Sequence, residues 1–256
     1  MNLTDTHTHL YYETDERKRS ELMERCFHNN INRLFLPNVD SDSVALIEDL
    51  VKHYPENCFP MLGLHPCSVK DNYSDELELI WQAESKLKIY AVGEIGIDLY
   101  WDKTTLKLQQ EAFRTQIDKA KELGLPIVIH CREAFNEVYE ILLEAKDDRL
   151  RGVFHCFTGT VDQANLITDL GFYLGIGGVV TYKNSGLDKV VAALDLKDIV
   201  LETDSPYLTP VPFRGKPNES SYLIYVARKV AELHGIEVEE VAQITTENAD
   251  KLFSSF

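Results

Sequence analysis

His7 and His9 stand two residues apart in Leu3-Thr4-Asp5-Thr6-His7-Thr8-His9-Leu10. A β-strand sends alternate side chains to one face, so the two imidazoles would project together, with Asp5 below them. Imidazole is the commonest metal-ligating side chain, and two on one rigid strand lose little freedom in clasping a cation. His-x-His is a short pattern, however, and a satisfied core or surface histidine explains it equally simply.

Other apolar runs also end in residues with chemistry. Residues 61–64 lead into His65, 89–93 into Glu94, 126–129 into His130, 152–154 into His155 and 199–203 into Asp204. Singly, each has an ordinary role as a turn former or a backbone hydrogen-bond partner. Together they would gather costly polar groups in one place unless a cation compensates them. His7, His9, His130 and His155 with Glu94 and Asp204 suit two divalent cations, because Glu94 has two oxygens with which to bridge. Zn²⁺, Mg²⁺ and Mn²⁺ are the candidates, and the imidazoles favour Zn, Mn, Co or Fe over an all-oxygen cage. Such a pair activates water and stabilises both entering and leaving oxygens. Asp204 is the candidate acceptor of the water's proton, and Asp5 a candidate either to hold an imidazole tautomer or to make a structural hydrogen bond at the strand start.

These residues converge only if the runs are neighbours. The runs at 3–7, 33–37, 58–62, 89–93, 126–129, 152–154, 172–176 and 199–203 alternate with segments of helical period. Most are continuous apolar stretches, as expected of parallel strands covered on both faces. Thr160 and Gln163 have capping-box spacing for a helix over 161–170 with Gly171 beyond it, and residues 105–123 form a helical stripe closed by Gly124. Helices over 219–234 and 238–252 complete the outer layer. The expected architecture is an α/β chain folded as a (β/α)8 TIM barrel, a single domain over 1–256, with its active site at the C-terminal ends of the strands.

Composition narrows the partners. A formal net charge of −16 opposes broad adhesion to phosphate backbones, so a nucleic-acid substrate needs a local positive site. No signal peptide or membrane-spanning run is read, and five cysteines without C-x-x-C spacing fit a reduced cytoplasmic protein with no obligate protein partner. Cys131 and Cys156 each follow a histidine, but a free cysteine is usually a small buried hydrophobe.

The series Asp5–Leu10, Gly63-Leu64-His65-Pro66, Gly93-Glu94-Ile95-Gly96-Ile97-Asp98, His130-Cys131-Arg132-Glu133, His155-Cys156-Phe157-Thr158-Gly159, Glu202-Thr203-Asp204-Ser205-Pro206 and Arg214-Gly215-Lys216-Pro217-Asn218-Glu219 resembles, in order, the signatures of TatD-type metal-dependent deoxyribonucleases of the amidohydrolase-like superfamily. The resemblance implies one metal on His7, His9, Glu94 and Asp204, a second on Glu94, His130 and His155, and His65 near the substrate phosphate. It also implies phosphodiester cleavage, typically removal of nucleotides from a DNA end. Cys67, Cys131 and Ser220 depart from the family pattern, where His, Ser and Pro are common, and they bear on substrate preference rather than metal chemistry.

Arg132, Arg214 and Lys216 are the candidate phosphate-binding residues beside that site, or else partners of surface carboxylates. Tyr11, Tyr12, Tyr100, Trp101 and Tyr207 are candidates to stack on bases, with barrel-rim packing the simpler account of any one. The alternative enzyme is an amidohydrolase or esterase of the same superfamily cleaving a cyclic amide, lactone or aminoacyl ester, since activated water attacks carbonyl carbon as well as phosphorus. A non-catalytic metal-binding protein is the third reading, and the complete ligand set opposes it.

Overall fold

Each expected run forms a strand in the computed structural model, which describes residues 1–253. β1 (Leu3–Asp5), β2 (Ile31–Leu36) and β3 (Cys58–Pro60) form one parallel ladder. β4 (Val92–Asp98), β5 (Ile127–Arg132), β6 (Gly152–Phe154), β7 (Tyr173–Ile176) and β8 (Ile199–Leu201) form the other. Two seams close the ring. Between β3 and β4 the Leu62–Val92 bridge is flanked by Tyr90 N donating to the Pro60 carbonyl (3.0 Å) and Gly93 N to that of Leu62 (2.9 Å). Between β8 and β1, Thr6 N donates to the Leu201 carbonyl (3.1 Å) and Asp204 N to the His7 carbonyl (2.9 Å). The architecture is a (β/α)8 barrel.

Helices α1 (Glu16–His28), α2 (Ser41–His53), α3 (Tyr73–Trp81), α4 (Leu106–Leu123), α5 (Phe135–Ala145), α6 (Val161–Asp169) and α7 (Leu187–Val191) connect successive strands, and α8 (Leu223–His234) and α9 (Val238–Leu252) follow the last. The expected punctuation is present. Thr160 Oγ1 accepts from Gln163 N (3.2 Å) while Gln163 Oε1 accepts from Thr160 N (2.9 Å), and α4 stops at Gly124, left-handed at φ 67°. The helix expected over 219–234 opens instead with a 3-10 turn, Ser220–Tyr222. Its serine hydroxyls turn to Thr8 and Glu219, local bonds that compete with a regular helix start.

Inward-facing Phe35, Phe59, Met61, Ala91, Val128, Val153 and Val200 pack with Leu252 and Phe253 from the end of α9, so the barrel interior is a filled core. Phe253 stacks on Phe35 with ring centroids 3.9 Å apart. Among the described residues no helix is long and apolar enough to cross a membrane.

β4 and β5 run further than the apolar stretches suggested, so Glu94 and His130 lie within strands rather than just beyond them. The apolar count missed these ends because the strand faces turn polar at the barrel mouth. Gly93 pairs with Val128 and Ile95 with Ile129, which leaves Glu94 as an extra residue in the ladder. Such a bulge re-aims a side chain. Two steps on, Gly96 pairs with His130 at φ 141°, where a Cβ would fall 2.0 Å from the His130 carbonyl oxygen. Only glycine allows that approach.

Candidate metal centre

The strand ends bring His7, His9, His65, Glu94, His130, His155 and Asp204 to one mouth. Glu94 is buried at the middle, and its two oxygens face different partners. Oε2 lies 3.2 Å from His7 Nε2 and 3.7 Å from His9 Nε2, while Oε1 lies 2.8 Å from His130 Nδ1, 2.9 Å from His155 Nε2 and 3.3 Å from His65 Nε2. Asp204 Oδ1 completes the first group, 3.4 Å from His9 Nε2 and 3.7 Å from His7 Nε2. Asp204 is held there by a left-handed backbone at φ 54°. That conformation is uncommon outside glycine, and the bond from its N–H to the His7 carbonyl helps to hold it.

Second partners set the imidazole tautomers. Tyr11 O–H donates to the Pro37 carbonyl (2.7 Å), so its oxygen must accept from His9 Nδ1–H (2.7 Å), which leaves the His9 Nε2 lone pair facing the carboxylates. Asp98 Oδ2 accepts from His130 Nε2–H (2.8 Å), which frees Nδ1 in the same way. His155 turns Nδ1 toward Glu202 Oε1 (3.5 Å), and that oxygen also accepts from Cys156 N (2.5 Å). A Cβ on Gly175 would stand 2.3 Å from Glu202 Oε2, so glycine there makes room for the carboxylate. His65 is the exception. Its Nδ1 accepts from Cys67 N (3.1 Å), so Nε2 carries the proton and faces His130 Nδ1 (3.2 Å) and Glu94 Oε1 as a donor rather than a ligand.

Of the roles open to Asp5 and Tyr11 from sequence, the fold gives each the structural one. Asp5 touches no imidazole nitrogen: it accepts from Thr203 N (2.9 Å), Thr203 Oγ1 (2.6 Å) and the His7 backbone N–H (3.3 Å), tying β1 to the end of β8. Burial pushes its carboxyl up to about 7, against those hydrogen bonds. Tyr11 is no stacking surface, being fully buried behind His9. The residues that steady the imidazoles (Tyr11, Asp98 and Glu202) escaped the reading from sequence. Asp98 had a signal, because residues 94, 96 and 98 alternate onto one strand face.

A cation fits this arrangement. Both His7 nitrogens are buried without a hydrogen-bond partner, and two groupings, His7–His155–Asp204 and His7–His9–Glu94, have ligand atoms close enough to share an ion; His65, Glu94 and His130 lie equally close, with His65 offering a proton there. Without a cation, burial alone would depress His155, but the Glu94 and Glu202 carboxylates hold it well above its usual value, and His130 is raised likewise by Asp98 and Glu94. A cation must displace those protons. Uptake should therefore release protons, and affinity should already weaken as pH falls toward the ordinary imidazole value of 6.5 from above, because His155 and His130 take up their protons above it. Calorimetric titration in buffers of different ionisation enthalpy checks this: buffer-independent heats would contradict it. Tyr11→Phe, which removes the partner of His9 Nδ1, should weaken cation binding roughly 10- to 100-fold in the same titration without unfolding the protein.

The centre opens into a cavity of about 620 Å³ whose wall includes Trp101, Arg132, Tyr12, Tyr207 and Cys67. Arg132 therefore stands at the site. Arg214 and Lys216 do not line the cavity: both are exposed on the loop after β8, with Arg214 stacked on Tyr182 at 3.8 Å. Burial pushes the Cys131 thiol up to about 12 and that of Cys156 well above its usual value, so neither is a ready thiolate.

A model of the family described as TatD related DNase matches residues 4–254. The metal-dependent hydrolase YabD of Bacillus subtilis is 40% identical over 252 residues, covering 98% of each chain. The 3'-5' ssDNA/RNA exonuclease TatD of Citrobacter rodentium is 31% identical over 244 residues, covering 93% of this chain and 92% of its own. Among solved structures, the TatD homologue YjjV from Escherichia coli K12 superposes with a TM-score of 0.92 at 29% identity, covering 99% of this chain and 98% of that one.

Proposed function

The chain belongs to the TatD related DNase family, a family of metal-dependent hydrolases acting on ester bonds, and from that premise we propose that it is a deoxyribonuclease removing nucleotides from a DNA end. The observation that carries the reading is the division of Glu94, whose oxygens face two separate imidazole groups. In this proposal His7, His9, Glu94 and Asp204 would hold one divalent cation, and Glu94, His130 and His155 a second. Once bound, the cations supply positive charge against phosphate oxygens and make water acidic enough to attack at neutral pH.

The protein's own groups do the rest. Asp204, partly open to the cavity, accepts the proton of the attacking water. His65 donates Nε2–H to a non-bridging phosphate oxygen. Arg132 offers its planar fork to the same phosphate, while Arg214 and Lys216, outside the cavity, meet phosphates further along the strand. These few cations supply the local positive site that a chain of net charge −16 requires. The whole chain acts as one barrel domain. Its five cysteines are all free, which supports a reducing, cytoplasmic setting.

The test is product analysis on end-labelled single- and double-stranded DNA, comparing metal-stripped protein with protein reloaded with Mg²⁺, Mn²⁺ or Zn²⁺. Stepwise mononucleotide release that needs metal is the expected result. Activity on lactones or aminoacyl esters with none on DNA would overturn it.

A further inference from the structure

Trp101 is 70% exposed on the cavity wall, and Tyr100 beside it is 50% exposed. Folding gives little reason to leave two large rings in water side by side. The rings meet edge to face, with centroids 4.9 Å apart at 88°. The Arg132 guanidinium lies 3.8 Å from the centre of the Tyr100 ring and 5.6 Å from that of Trp101. The chain has 42 acidic residues to 26 basic ones, yet among the described residues Arg132 forms no ion pair. Stacking fixes its plane and leaves its N–H fork free for an oxyanion.

The mounting of this turn is specific. Asp98 Oδ1 accepts from Tyr100 N (2.9 Å) and Trp101 N (3.1 Å), while Oδ2 accepts from His130 Nε2–H. Gln109 pins the Asp98 backbone from both sides, its Oε1 accepting from Asp98 N (2.8 Å) and its Nε2 donating to the Asp98 carbonyl (3.1 Å). One buried carboxylate therefore sets both the aromatic turn and an imidazole of the metal centre.

We propose that the Tyr100–Trp101 turn is a nucleobase platform, held by Asp98 at a fixed register from His130, and that Trp101 stacks on the base of the nucleotide whose phosphate Arg132 binds. This rests on the nuclease reading. Stacking tolerates any base, so the platform fixes how far the strand enters without selecting sequence. The neighbouring Arg132 brings phosphate and base into register in one step.

Two measurements test it. The tryptophans are Trp81 and Trp101, so Trp81→Phe leaves Trp101 as sole reporter. In metal-free Trp81→Phe protein, a short single-stranded oligonucleotide should quench Trp101 fluorescence, and the same oligonucleotide with an abasic terminal residue should quench it far less. In metal-loaded enzyme, Trp101→Ala should raise KM for the base-bearing strand roughly 5- to 150-fold and leave KM for the abasic strand unchanged, with Trp101→Phe restoring most of the loss. Equal effects on both strands, an unchanged KM, or no quenching would overturn the platform. DNA cleavage without base dependence overturns the platform alone, whereas failure to cleave any oligonucleotide overturns the nuclease reading and the platform with it.

Discussion

Glu94→Ala should lower metal-dependent turnover by about 10³-fold or more while leaving the circular dichroism spectrum of the protein unchanged. The size follows from position. Glu94 is the carboxylate common to both imidazole groups, and its charge is held well below the usual carboxylate range: burial opposes ionisation, but His155, His65, His7 and His130 together outweigh it. Alanine removes the shared oxygen pair and leaves several imidazoles facing one another without a counter-charge. Neither Asp204 nor Asp98 can substitute: among the described residues Asp98 reaches only His130 of the imidazoles, and Asp204, though near enough to His7 and His155 to share an ion with them, makes no ion pair with His130. Glu94→Gln should be nearly as damaging, because an amide presents a donor where a cation belongs. Steady-state kinetics of both variants under saturating metal are the check, and turnover within tenfold of wild type would contradict the assignment.

Asp98→Ala is the second large effect, and it should be felt in two places. Loss of the partner of His130 Nε2 should weaken cation binding roughly 10- to 100-fold, as removal of such partners commonly does. Release of the Tyr100–Trp101 turn should separately raise KM for oligonucleotides. Excess metal should then restore much of kcat without restoring KM, a split that simple misfolding would not give. Acid should reveal the same contact in metal-free protein. Burial favours the neutral carboxyl, but the bonds from His130 and the turn overcome it and lower Asp98 from 3.8 to about 2. A depressed carboxylate contributes stability that is complete above its unfolded value and is lost as pH falls through its folded value. The stability margin of wild type over Asp98→Ala in urea should therefore shrink between about pH 4 and pH 2. A margin that does not change over that range would mean the contact is unimportant.

The sequence made the barrel and the clustering of strand-end His, Glu and Asp residues legible because both depend on local pattern. Apolar runs of strand length, each ending in His, Glu or Asp, locate the mouth without any knowledge of pairing. What stayed hidden depends on register and on long-range partners. The bulge at Glu94 exists only once β4 lies against β5, so a linear reading placed Glu94 after the strand instead of inside it. Tyr11 looked like a rim aromatic because nothing nearby in sequence shows that its hydroxyl reaches Pro37 and His9. Asp5 could be read as an imidazole support or as a structural group at the strand start, and the sequence could not decide because its partner, Thr203, is 198 residues away. Arg214 and Lys216 sit in a loop whose path over the barrel only the fold determines.

The most direct test of the centre itself is titration of metal-free protein with Mn²⁺, followed by electron paramagnetic resonance. Two ions per chain with an exchange-coupled spectrum, lost in Glu94→Ala, is the predicted result, because coupling at that range needs the shared carboxylate. A single uncoupled ion at saturation, or a coupled pair that survives Glu94→Ala, would contradict the bridging role from which the rest of the mechanism follows.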